Sequence, residues 1–193
     1  MAEPRIVGDL PKNESLPKAF SELRANTLIA LGDQQHALVV VTSPNQPEPR
    51  RHVAANLATA ISQTGRRVLL VDGDTDGEHQ PGQHHDWIEP TAHVVSDSLS
   101  VVTSQAVTVN DSTLLSSQAS VAKLRTQAAQ YDILIFAAPP VLNVADTRAL
   151  TSVADGTLLV VAHGKSNRED SVRASEILRR TTANLLGAVV VKT

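Results

Sequence analysis

The chain has 193 residues and no cysteine, which fits one domain able to bury roughly 70% of its unfolded surface and excludes disulfides, thiol nucleophiles and thiolate zinc sites. Seventeen Lys+Arg against twenty Asp+Glu give a formal charge of −3, and Phe20, Trp87, Tyr131 and Phe136 are all the aromatic surface there is, so nucleic acid is not expected as a partner. No apolar run approaches the ~20 residues of a membrane span and the opening MAEPRIVGDLP lacks a signal-peptide core, so the expectation is a soluble domain in a reducing compartment.

Apolar residues make up 41% of the chain and come in short unbroken runs of Ala, Val and Leu, the mark of strands covered on both faces. Residues 1–15 read as a linker and 16–193 as one domain. In chain order the pattern predicts a helix over Leu16–Leu31, a strand over Ala37–Val41, an Ala-rich helix over Val53–Ile61 and a strand over Val68–Val71. A polar loop, Gly73–His85, is followed by a strand at Leu99–Val102, a helix at Val121–Ala129, strands at Ile133–Phe136 and Thr157–Val161, a helix at Arg168–Leu178 and a last strand at Ala188–Val191. Strand and helix therefore alternate. The alternation implies right-handed crossovers and an α/β, doubly wound, mainly parallel sheet with helices on both faces. The site then belongs at the carboxyl ends of the strands.

The first strand–loop–helix reads Thr42-Ser43-Pro44-Asn45-Gln46-Pro47-Glu48-Pro49-Arg50-Arg51-His52-Val53-Ala54-Ala55-Asn56-Leu57-Ala58. It resembles the P-loop of the bacterial tyrosine kinases of capsule and exopolysaccharide machinery, T-S-A-x-P-G-E-G-K-S-T-x-A-A-N-L-A. Thr42, Ser43, Glu48 and Ala54 to Ala58 match. The loop glycines fall at Pro47 and Pro49, the phosphate-binding lysine at Arg50 and the magnesium-binding hydroxyl residue at Arg51. Further on, Val68-Leu69-Leu70-Val71-Asp72-Gly73-Asp74 is similar to the family's second acidic motif, and the resemblance gives Asp72 and Asp74 metal and proton-transfer roles. Tyr131-Asp132-Ile133-Leu134-Ile135-Phe136-Ala137-Ala138-Pro139-Pro140-Val141-Leu142 resembles Y-D-x-x-I-I-D-T-P-P-V-L, with the metal-side aspartate replaced by Ala137. Ala145-Asp146, Ala154-Asp155-Gly156 and Leu186-Gly187-Ala188 continue the likeness in the right order.

The departures have physical consequences of their own. A P-loop cradles phosphates with successive backbone N–H donors; Pro44, Pro47 and Pro49 have none and hold φ at about −65°. The planar fork of Arg50 does not replace a lysine point charge, Arg51 has no oxygen for Mg²⁺, and Ala137 has no carboxylate. The cradle, the lysine, the hydroxyl ligand and the second acid are thus changed together. The retained residues carry two readings each. Asp72 and Asp74 are either vestiges of the metal site or strand-end acids that take loop N–H groups. Asp146 and Asp155 read as helix-entry and turn residues. Arg50 and Arg51 read as solvated charges, with a weak anion or carboxylate site at a helix N-terminus as the other possibility. His79, His84 and His85 with Glu78 and Asp86 form a loop cluster of metal-ligating types, but nothing in the sequence fixes their geometry.

The resemblance also bears on assembly. Where the family helix carries an acid and two arginines that hold a ring of subunits, this chain has Lys18, Ser21 and Arg24, so a closed ring is not expected. Ile6-Val7-Gly8-Asp9-Leu10-Pro11 resembles the segment that follows the second transmembrane helix when such a domain is fused to a chain-length-determinant membrane domain. That implies a domain on the cytoplasmic side of the plasma membrane with protein partners in polysaccharide synthesis and export. The reading is a catalytically degenerate kinase-like module with no catalytic residue, no metal and no cofactor. One alternative is a divergent autokinase or ATPase using ATP and Mg²⁺ through Asp72, Asp74 and Arg50. The other is a scaffold of the partitioning-ATPase type.

Overall fold

A computed structural model describes residues 18–45, 49–73, 92–102, 122, 124–126 and 129–192. Its elements run α1 (Lys18–Leu31), β1 (Ala37–Thr42), α2 (Arg50–Ser62), β2 (Val68–Asp72), β3 (His93–Ser96), β4 (Leu99–Val102), β5 (Ile133–Ala137), α3 (Ala145–Val153), β6 (Gly156–His163), α4 (Arg168–Arg180) and β7 (Leu185–Lys192). The strands form one sheet of seven in the order β3-β4-β2-β5-β1-β6-β7. All neighbours are parallel except β3 and β4.

The unbroken apolar runs become strands because helices cover both faces. β1, β2 and β5 are buried at every residue, so no position on them had to be polar. One face, with Val39, Val41, Leu70 and Ile135, packs against α2, which buries Val53, Leu57, Ile61 and its alanines. The small alanines bring the helix close to the sheet. α1 lies across α2, with Arg24 Nη1 donating to the Ala60 carbonyl at 3.4 Å. On the other face Leu38, Val40, Leu134 and Phe136 meet Leu124 and Leu150, and α4 seals Leu159 and Val141 with Ala174 and Leu178. α4 is signalled locally at both ends. Asn167 caps it by accepting from the Glu169 N–H at 3.0 Å, acids fill its first turn and Arg179 and Arg180 its last.

Two elements differ from the sequence expectation. β3 pairs antiparallel to β4 around Asp97-Ser98 with a bulge between Val94 and Ser96. It is exposed at every residue and so has no two-sided apolar run to betray it. α3 extends well beyond an entry at Asp146. Its Thr and Ser residues are poor helix formers, yet Thr147 is buried and donates to the Pro139 carbonyl at 3.1 Å, so tertiary contacts decide the local structure. Of the helix expected at Val121–Ala129, residues 122 and 124–126 are helical. The linker 1–15 and the polar loop beyond Gly73 lie outside the described residues. Among the described residues no helix is long and apolar enough to cross a membrane.

Asp155, in the turn before β6, ties three segments together at the start of β1 and β6. Its Oδ2 accepts from the buried Leu38 N–H at 2.7 Å and from Arg125 Nη1 at 2.6 Å, while Oδ1 accepts from Gln34 Nε2 at 2.6 Å. Asp155→Ala leaves the Leu38 amide without this acceptor and Arg125 without its carboxylate. The expected cost is about 3 kcal/mol, read as a lower urea midpoint at unchanged slope, with Asp155→Asn losing less.

Candidate functional site

Strand order places the site. From β1 the chain crosses through α2 to β2 on one side, whereas from β5 it crosses through α3 to β6 on the other, which opens a crevice at the carboxyl end of β1. Around that crevice stand Thr42, Asp72 and Ala137. Ala137 is the register partner of both Val41 on β1 and Asp72 on β2. The floor is a closed backbone network. Ala138 N–H donates to the Val41 carbonyl at 2.9 Å, Val141 N–H to Ser43 at 2.9 Å and Leu142 N–H to Pro44 at 3.1 Å. Thr42 Oγ1 donates to the Pro139 carbonyl at 2.7 Å. Asn45 Nδ2 donates to Asp170 Oδ2 at 2.6 Å, linking the first loop to α4.

Pro49 is the cap residue before α2, with φ −71° and no side-chain cap, and the first turn of the helix holds Arg50, Arg51 and His52 with no acid. Cations at the positive end of a helix are unfavourable. The compensation comes from β2: the Arg51 guanidinium donates twice to Asp72 Oδ2, from Nη2 at 2.6 Å and from Nε at 3.0 Å. Asp72 is 1% exposed, so this carboxylate is removed from water and charge-paired. The strand end is fixed as well. Gly73 N–H donates to the Ala137 carbonyl at 2.9 Å, and a Cβ at Gly73 would overlap the Phe136 ring, so glycine is required there.

The expectation that Arg50 and Arg51 are solvated charges is corrected. Arg50 is fully buried, and Arg51, with a side chain 29% exposed, is turned onto Asp72. The physical reason is the depth of α2, whose first turn abuts the end of β2. The Arg51–Asp72 pair was missed by sequence reasoning; the available signal was an arginine at the hydroxyl position with the strand-end aspartate retained. Asp72 accordingly takes a guanidinium as its charged partner.

Mg²⁺ and ATP, which the family resemblance implies, can be tested against these groups. Magnesium demands hard oxygens in octahedral geometry. Here a guanidinium faces Asp72, and the register partner Ala137 presents a methyl group. The described residues do not fit the ion. Among them there is also no cluster of three His, Asp or Glu able to hold a metal. Pro47, Asp74, Glu78, His79, His84, His85 and Asp86 lie outside the described residues, as does the segment Ile6–Pro11.

Asp146 is buried in the first turn of α3, whose cap residue is Val144, so it does not cap the helix through its own side chain. Burial raises its pKa above the ordinary 3.8. Asp132 moves the other way. Its carboxylate accepts from the Arg67 N–H at 2.8 Å, which, with the Arg67 side chain, lowers its pKa. The signs follow. The charged form of Asp146 costs stability at neutral pH, and that cost is relieved as pH falls through its raised value. The stabilisation by Asp132 is present above 3.8 and lost as pH falls through its lowered value. Asp146→Asn is therefore expected to raise Tm at pH 7, with the gain vanishing below about pH 4. Melting curves across that range check it.

No protein-family profile matches the chain. The tyrosine-protein kinase YwqD of Bacillus subtilis (strain 168) is 33% identical over 189 residues, covering 89% of this chain and 78% of the relative. The kinase domain of Escherichia coli tyrosine kinase ETK superposes with a TM-score of 0.75 at 20% identity over 98% of this chain and 80% of that one. A ParA family ATPase from Chlorobium tepidum TLS reaches 0.56 at 18% identity over 81% of this chain and 72% of that one. The fold is thus of the P-loop NTPase type, and the chain belongs to the family of bacterial tyrosine-protein kinases.

Proposed function

We propose that this chain is a pseudokinase: a tyrosine-kinase-like domain, spanning residues 16–193, that has given up phosphoryl transfer and works as an interaction or regulatory module in cell-surface polysaccharide synthesis and export. One observation carries the reading. The residue aligned with the magnesium-binding hydroxyl is Arg51, and its guanidinium is held 2.6 Å from Asp72. A cation of the protein's own stands against the acid that would hold the metal in a working kinase. Ala137 in register with Asp72 and the prolines at 47 and 49 point the same way, because phosphates would meet neither metal nor a row of N–H donors. Asp72 and Asp74 are then vestigial, and the domain works without a cofactor. The family context favours a position at the cytoplasmic face of the plasma membrane and protein partners within the polysaccharide machine. Arg24, spent on the Ala60 carbonyl, supports an assembly other than the family's closed ring.

Calorimetric titration with ATP·Mg²⁺ is expected to give no binding heat; a micromolar Kd would overturn the reading. Restoration extends the test, since cradle and metal site act as a unit and such effects are non-additive. Ala137→Asp and Arg50→Lys alone are expected to give no thermal shift with ATP·Mg²⁺. Replacing residues 46–51 by a glycine-containing P-loop together with Ala137→Asp is expected to give a saturable one, worth about 2.7 kcal/mol at a hundredfold excess over Kd. A shift from Ala137→Asp alone would favour the divergent enzyme.

A further inference from the structure

Accepting that this site does not take nucleotide, we infer that the Arg51 guanidinium is its resident cation, joining the first turn of α2 to the end of β2 and leaving the domain in one clamped state that divalent metals do not alter. In a metal-dependent site a helix-borne ligand and a strand-borne carboxylate meet through the ion. In this chain they meet directly. Arg51 belongs to α2, Asp72 ends β2, and two donors of one guanidinium converge on a single carboxylate oxygen at 2.6 and 3.0 Å.

Three features make the substitution self-sufficient. The cation is covalently tethered, so it is present at full occupancy and needs no release of a tightly held water shell, the step that makes Mg²⁺ binding to few ligands weak. The carboxylate is fixed, because the Gly73 N–H bond to Ala137 at 2.9 Å and the Phe136 ring lock the residue after it. The guanidinium gains a counter-charge that α2 does not supply, since the first turn of that helix holds no acid. A metal ion added to this site would have to displace a charge-paired arginine from a carboxylate that is 1% exposed, while Ala137 gives it no second carboxylate. The same geometry makes a reverse prediction. Once the guanidinium is removed, the acid at Asp72 becomes the group that a hard divalent cation neutralises.

The test uses the full chain without nucleotide, melted in EDTA, in millimolar Mg²⁺ and in millimolar Mn²⁺, for the wild type, Arg51→Lys, Arg51→Ser, Asp72→Asn and Arg51→Ser/Asp72→Asn. The wild-type Tm is expected to be the same in all three media. Arg51→Ser is expected to lose about 5–10 °C, because it strips one partner from a mostly buried pair, with Arg51→Lys between it and the wild type. Mn²⁺ should return part of the loss in Arg51→Ser and none in the double variant, which lacks the carboxylate. A wild-type Tm that climbs saturably with Mg²⁺ would overturn the inference, and so would an Arg51→Ser variant that melts with the wild type. If Arg51→Ser does not fold, Asp72→Asn and Arg51→Lys decide it: metal-independent losses in both support the clamp, and no loss in either refutes it. Because every melt omits nucleotide, ATP binding found by calorimetry would unseat the pseudokinase reading without touching these melts, whereas a metal response in the wild-type melts overturns the clamp and leaves nucleotide binding to the calorimetric test.

Discussion

A carboxylate shut away from water needs a positive partner, and in this protein that demand falls on Asp72. Leaving such a group charged and alone would cost several kcal/mol, so whatever neutralises it governs the end of β2, the start of α2 and the crevice between them. In this chain the neutralising group is Arg51, two donors on one oxygen. The positive end of α2, carrying Arg50, Arg51 and His52, is in turn tolerable because a strand-end acid stands beside it. One ion pair thus bears on both the strand end and the helix start. It also uses the position through which a kinase of this family would bring in its metal.

The rest of the fold holds that pair in place from two sides. Below it, β1, β2 and β5 are buried throughout and packed under the Ala-rich face of α2, which fixes the distance from helix to strand. Beside it, the turn after β5 donates to the carbonyls of Val41, Ser43 and Pro44 and ties down the chain that leaves β1. Across the sheet Asp155 gathers Leu38, Gln34 and Arg125. The site is therefore built on rigid elements. The Arg51–Asp72 pair sits on them within the strand order β3-β4-β2-β5-β1-β6-β7.

Much of this could be read from the residues. Unbroken Val and Leu runs mark strands buried on both faces, and Asn167 with Glu169 and Asp170 marks the start of α4, because in each case the local pattern and the tertiary environment agree. β3 could not be read. Its four residues are exposed on a bulged edge, and an exposed edge imposes no pattern. α3 was visible only at its entry, because the buried Thr147, bonded to the Pro139 carbonyl outside the helix, holds it rather than helix propensity. At the site, the sequence exposed the substitutions at Arg50, Arg51 and Ala137 but not what they do. Solvation is the ordinary fate of adjacent arginines at a helix start. Only the depth of α2 against the sheet turns one guanidinium inward onto Asp72 and buries the other.

The central claim is that Arg51, and not a metal with its nucleotide, is the partner of Asp72. A crystal structure of the full chain grown with Mg²⁺ and a non-hydrolysable ATP analogue tests it most directly. The account predicts an empty first loop and the Arg51 guanidinium still seated on Asp72 Oδ2. Analogue density in that loop, with Arg51 swung away and a metal ion against Asp72, would contradict it.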